Sequence, residues 1–63
     1  MNNLKLHREN LGLTQVQVAQ KSGMSAVQYQ FYEYDKYEPG VRTAIRIAKA
    51  LETTAEELYP PEE

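Results

Sequence analysis

Two motifs of the same form, Thr14-Gln15-Val16-Gln17 and Ser25-Ala26-Val27-Gln28, stand eleven residues apart with Gly23 between them. Each has the pattern of a capping box. The leading hydroxyl can accept from the amide three residues on, and the glutamine there can reach back to the N–H of the capping residue. Two helix starts this close leave room for only about two turns of helix and a tight turn. A connection that short cannot reverse the chain into an antiparallel pair, so the two helices must cross at a steep angle. The small Ala19 lets the second helix approach closely.

The rest of the chain is consistent with helices throughout. Apolar residues recur at helical spacing, and no stretch alternates like a half-buried strand, so the fold class is all-α. A first helix is expected from Asn3 as N-cap, with Leu4, Arg8 and Leu11 along one face and Gly12 as its left-handed stop. Helix 2 runs from Thr14 to about Lys21 with Val18 and Ala19 inward, and Gly23 ends it. After Tyr34 an irregular stretch, Asp35 to Pro39, leads through Gly40 into helix 4, whose expected core face is Val41, Ala44, Ile45, Ala48 and Leu51. Thr54-Ala55-Glu56-Glu57 is a third capping box, opening a short helix 5 that carries Leu58, and Pro60-Pro61 close the ordered chain.

Size and composition narrow the functions such a bundle can have. Sixty-three residues fit one domain, 1–63, which at this length buries only about 60% of the surface its unfolded chain exposes. With no cysteine and a lone His7 there is neither a disulfide framework nor a metal site, and nothing in the pattern asks for a cofactor or a small-molecule ligand. The same poverty of nucleophiles and paired carboxylates argues against an enzyme. No apolar run is long enough to span a membrane, and the opening residues Met1 to Lys5 do not read as a secretory signal, which places the chain in the cytoplasm, with the nucleoid. A net charge of −2 argues weakly against nucleic acid as a partner. That charge is unevenly spread, being +2 over residues 1–24, −1 over 25–42 and −3 over 43–63.

Several further residues fall at informative positions: Gly12-Leu13-Thr14-Gln15, Val18-Ala19, Lys21-Ser22-Gly23-Met24-Ser25, Tyr29, Tyr32-Glu33, Lys36, Pro39, Ile47-Ala48-Lys49-Ala50-Leu51 and Thr54-Ala55-Glu56-Glu57-Leu58. In this joint spacing the sequence resembles the xenobiotic-response-element family of helix-turn-helix regulators, to which the lambdoid phage repressors and Cro belong. The pattern covers residues 4–59 without a gap. Asp35 and Glu52 depart from it, standing where the family usually has glycine. The resemblance implies a five-helix, lambda-repressor-like DNA-binding domain whose helix-turn-helix, helices 2 and 3, spans about residues 14–34. It further implies a repressor that binds double-stranded DNA as a homodimer on a palindromic operator, with helix 3 in the major groove. The dimer contact is expected in Glu52 to Tyr59, as in relatives.

Counting about 100° per residue along helix 3 puts Ser25, Tyr29, Tyr32 and Glu33 on one face, with Val27, Phe31 and Tyr34 opposite and Gln28 and Gln30 flanking them. The positions that match the family's base-reading sites are Ala26, Val27, Gln28, Gln30 and Phe31. Gln28 suits adenine N6 and N7, whereas the apolar members suit thymine methyl groups. The resemblance assigns phosphate contacts to Gln15, Gln20 and Ser25, and Lys36, Tyr37 and Arg42 flank helix 3 within reach of the same strand. Arg8 and Glu33 lie on inward faces, where neither residue type stays unpaired, so a structural ion pair between helices 1 and 3 is expected. Five of the six aromatic residues fall within nine positions, 29 to 37. Tyr29 and Tyr32 fit a core, but the Val27/Phe31/Tyr34 stripe is apolar on a face meant for DNA. It supports an alternative, a protein-interaction module on the same fold that acts as an antirepressor or antitoxin-like partner binder.

Overall fold

A computed structural model describes residues 1–61; Glu62 and Glu63, the end of the acidic C-terminal stretch, lie outside the described residues. Five helices follow one another: α1 (Leu4–Asn10), α2 (Gln15–Ser22), α3 (Ala26–Glu33), α4 (Val41–Ala50) and α5 (Ala55–Leu58). The described residues contain no strand, and no helix among them is long and apolar enough to cross a membrane. The chain is all-α. α2 packs on both α3 and α4, and α4 packs on α5.

Local chemistry sets the helix ends. The Thr14 hydroxyl accepts from Gln17 N at 3.1 Å while Gln17 Oε1 accepts from Thr14 N at 2.8 Å, a complete capping box. At the other two sites only half the box forms. Ser25 Oγ accepts from Gln28 N and Thr54 Oγ1 from Glu57 N, but the Gln28 side chain turns away and donates to the Tyr32 hydroxyl at 3.1 Å. Asn3 caps α1 by position only. Its amide instead donates to the Glu57 carbonyl, and Asn2 Oδ1 accepts from Leu4 N in its place. Gly12 and Gly23 take the left-handed conformation at φ 69° and 73°, ending α1 and α2.

The core draws on every helix: Leu4 from α1, Val18 and Ala19 from α2, Tyr29 from α3, Ile47 and Ala48 from α4, Leu58 from α5, with Leu51 closing the end of α4. Leu13, Met24, Ala26, Tyr32 and Tyr59 pack around it. Two expectations about faces are corrected. Leu11 is not a core residue but is 40% exposed at the end of α1. On α4 the inward residues are Ile47, Ala48 and Leu51, whereas Val41 and Ile45 are 78% and 46% exposed. The apolar arc of α4 is wider than the face its neighbours cover. α4 packs on α2 and α5 with Ile47 and Ala48 buried, and Val41 and Ile45 in the earlier part of the arc stay exposed.

Two non-glycine residues, Asp35 (φ 59°) and Glu52 (φ 57°), hold the left-handed conformation that follows α3 and α4. For a residue with a Cβ this costs about 1–2 kcal/mol. Glu52→Gly is expected to raise stability by up to about 1 kcal/mol in urea unfolding, the relief of strain being partly offset by the greater freedom of the unfolded chain. Asp35→Gly is expected to gain less, because Asp35 Oδ1 accepts a 2.8 Å hydrogen bond from Asn2.

Candidate nucleic-acid interface

The interface is built on the α2-turn-α3 unit, where Gly23, Met24 and Ser25 make the whole connection. Two residues of α3 fix how that helix is rotated. Tyr29 is fully buried and Glu33 is 8% exposed, so the opposite side must face out. Val27 (57%), Phe31 (38%) and Tyr34 (58%) stand there in solvent.

Glu33 is held by a planar fork. Arg8 Nε donates to Glu33 Oε2 and Arg8 Nη2 to Glu33 Oε1, each at 2.9 Å, while Nη1 donates to the Leu13 carbonyl at 2.9 Å. One guanidinium thus joins α1, the loop before α2, and α3. Burial on its own would raise the Glu33 carboxyl. The contacts from Arg8, Tyr29 and Gln15 outweigh it, and the carboxyl lies below its ordinary value. The hydrogen bond with Glu33 raises the Arg8 guanidinium in turn, so the pair is charged at neutral pH. The buried Tyr29 hydroxyl beside it has no hydrogen-bond partner of good geometry, and burial raises its phenol.

A chain of amides runs outward from this pair. Gln15 Nε2 donates to Glu33 Oε1 and to the Tyr34 hydroxyl, both at 3.2 Å, and Gln15 Oε1 accepts from Gln30 Nε2 at 3.1 Å. Both amide protons of Gln15 are therefore engaged within the protein. Of the residues matched to base reading, Val27, Gln28 and Phe31 are exposed, Gln30 is half-buried on Gln15, and Ala26 is half-buried against the core. Of those assigned to phosphate, Gln20, Ser25, Lys36, Tyr37 and Arg42 are exposed and Gln15 is half-buried. The Phe31 ring meets the Tyr37 ring edge-on, centroids 5.4 Å apart at 76°. Lys36 and Arg42 form no ion pair among the described residues.

Asn2 was not singled out by sequence reasoning. Its amide donates to the Tyr32 carbonyl at 2.9 Å and to Asp35 Oδ1 at 2.8 Å, tying the chain start to the end of α3. A contact across thirty positions leaves no local signal.

Two helices joined by a three-residue turn, the second pinned by its inward residues and bare on its outward face, define a helix-turn-helix DNA-binding domain of a transcription regulator. The profile of the helix-turn-helix family matches residues 4–58. The chain belongs to this family, in its xenobiotic-response-element and Cro-like branch, and is a DNA-binding regulator. No curated protein matches it.

The Arg8–Glu33 pair makes stability acid-sensitive. Because the folded Glu33 carboxyl sits below its ordinary value, the unfolded chain binds more protons as the pH falls. Its contribution is complete above the unfolded value, near 4.5, and is lost as the pH drops through the folded value. Thermal melts of Glu33→Gln are expected to show a flatter pH dependence below 5 than the parent. Arg8→Met strands a buried carboxylate and should cost about 3–5 kcal/mol. The Arg8→Met/Glu33→Leu double variant should recover most of that, and additive losses would show that the two residues do not couple.

Proposed function

We propose that the protein is a repressor that binds a palindromic operator as a homodimer, with α3 of each copy in the major groove. The observation that carries this reading is the exposed outward face of α3, followed in the chain by the exposed Lys36 and Arg42, which form no ion pair among the described residues, on a helix whose rotation is set from within by Tyr29 and Glu33. Ala26, Val27, Gln28, Gln30 and Phe31 meet the bases, and Gln15, Gln20, Ser25, Lys36, Tyr37 and Arg42 meet phosphates. For Gln15 that contact comes in exchange for its bond to Tyr34. Gln28 enters oriented by Tyr32, which takes one of its two amide protons and leaves the other for adenine N7.

One copy presents too little surface for tight, specific binding. The second copy is placed at the C-terminal side. There a groove of about 400 Å³ between α4 and α5 is lined by Pro39, Val41, Ala44, Ile45, Ala55 and Tyr59, with Glu38 and Glu56 also lining it. The exposed Val41 and Ile45 add apolar surface beside the expected contact at Glu52 to Tyr59, and exposed apolar residues of this kind mark protein contacts.

Selection from randomised duplex DNA, repeated across salt concentrations, tests the reading. The expected outcome is an inverted repeat with half-sites one helical turn apart. Three or four phosphates per subunit imply that log K falls with log salt at a slope of about −5 to −7 for the dimer. Ile45→Asp is expected to give a monomer in sedimentation and to weaken operator binding by at least about tenfold. The exposed Val27, Phe31 and Tyr34 also favour a second reading, a protein-interaction module. No enrichment at low salt, together with partner capture that Phe31→Ala abolishes, is the result that module requires.

A further inference from the structure

In a chain with more acidic than basic residues, three of the seven Lys and Arg side chains converge where the end of α2 meets α4. Lys21, in the last turn of α2, and Arg46 and Lys49, three apart on one face of α4, line a groove of about 500 Å³. All three are exposed and none forms an ion pair among the described residues. No carboxylate among the described residues lines the groove. Like charges gathered without a counter-charge repel one another. The negative end of a helix accounts for Lys21 and for Lys49, each in a last turn, but not for Arg46. Ser22 lines the same groove, is 3% exposed, and has a hydroxyl with no hydrogen-bond partner, whereas a buried hydroxyl ordinarily has one. We propose that this groove is a binding site for a small organic phosphate of the nucleoside polyphosphate class. It includes no residue of α3 and shares only Gln20 with the positions assigned to DNA.

Charge and donor chemistry select this class. A lone carboxylate leaves two of the three cations unmatched, whereas a polyphosphate meets all three. The planar fork of Arg46 suits two phosphate oxygens at once, and the ammonium groups of Lys21 and Lys49 act as point charges on the rest of the chain of phosphates. The Ser22 hydroxyl, which turns about a single bond, gains in a phosphate oxygen the acceptor it lacks within the protein. The groove falls in the size range of small-molecule sites, about 300–1,000 Å³, and the side chain of Ala50 and the methylene stems of the cations offer apolar surface to the organic part of the ligand. A ligand held by both α2 and α4 binds the folded chain and not the unfolded one, so it stabilises the fold.

The test is an amide NMR titration of the full chain with a nucleoside triphosphate and, separately, with inorganic phosphate, the ionic strength being held constant with sodium chloride. The triphosphate is expected to shift the amides of Gln20 to Gly23 and of Arg46 to Ala50, to saturate with a Kd of about 1 mM or tighter, and to raise the thermal midpoint. Inorganic phosphate, which meets fewer of the cations, is expected to bind at the same amides about tenfold more weakly. Arg46→Gln and Lys49→Gln should each weaken the triphosphate about two- to fivefold, while Lys5→Gln, which removes the same charge from α1, should leave it unchanged. Ser22→Ala separates binding from folding: it should weaken the ligand about tenfold and yet raise the thermal midpoint of the free protein, because it deletes a buried hydroxyl that has no partner. No saturable shift below about 5 mM overturns the site, as does an equal loss in Lys5→Gln and Arg46→Gln. Equal affinity for inorganic phosphate and the triphosphate overturns the organic ligand. Duplex DNA shifting Arg46 to Ala50 where the triphosphate does not would assign the groove to a nucleic-acid backbone and overturn the proposal. The DNA-binding reading stands or falls on its own selection experiment, whatever the titration shows.

Discussion

The fork between Arg8 and Glu33 is the constraint from which the placement of the other parts follows. Apolar side chains of similar volume could fill the same space, and a buried ion pair is weak evidence for stability as such. What the pair contributes is direction. A bidentate contact requires the guanidinium and the carboxylate to be nearly coplanar, so the end of α3 can turn very little once Arg8 has also engaged the Leu13 carbonyl. Tyr29, one turn earlier and fully buried, removes the remaining freedom. The outward face of α3 is thus set by what lies inward, on the opposite side of the helix.

The glutamines carry that order to the surface. Gln15 has one end on Glu33 and the other on Gln30, so the first turn of α2 and the middle of α3 share a network that begins at the core ion pair. This differs from two free amides waiting for phosphate and base. In a free side chain binding must first freeze several rotors, at a cost of about 0.5–1.5 kcal/mol for each rotamer-rich side chain. Here part of that freezing is already done when the protein folds. Asn2 does the same for the far end of α3, where its amide holds the Tyr32 carbonyl just before the chain turns left-handed at Asp35.

Which of these features could be seen in the sequence follows from how local their causes are. Helix starts at Thr14, Ser25 and Thr54 are written in four-residue patterns, and the capping hydroxyls accept at all three. The reciprocal glutamine or glutamate bond forms at only one; at Ser25 the Gln28 amide donates instead to the Tyr32 hydroxyl one turn further along α3. Arg8 and Glu33 fall on inward faces by simple counting, and few arrangements satisfy opposite charges there. The rotation of α4 was not legible. Its apolar residues span more than one face, so periodicity admits both Val41 with Ile45 and Ile47 as inward, and only tertiary packing decides for Ile47. Asn2 and the Gln15–Gln30 bridge depend on which segments meet in space, and single-residue properties do not encode that.

Net charge is a poor guide to a module of this kind. Glu52, Glu56 and Glu57 sit at the α4–α5 end, whereas α3 begins with Ala26-Val27-Gln28 and carries only one charge, the buried Glu33. Of the exposed cations, Lys21 precedes it in α2, and Lys36 and Arg42 lie beyond its C-terminal end on the way into α4. A surface divided in this way separates attraction from discrimination. Cations past the end of a helix can attract a nucleic-acid backbone without regard to sequence, whereas the outward face of α3, aromatic and aliphatic, carries no charge of its own. An acidic chain can thus still present a helix whose outward face carries no charge, with the Phe31 ring held edge-on by Tyr37.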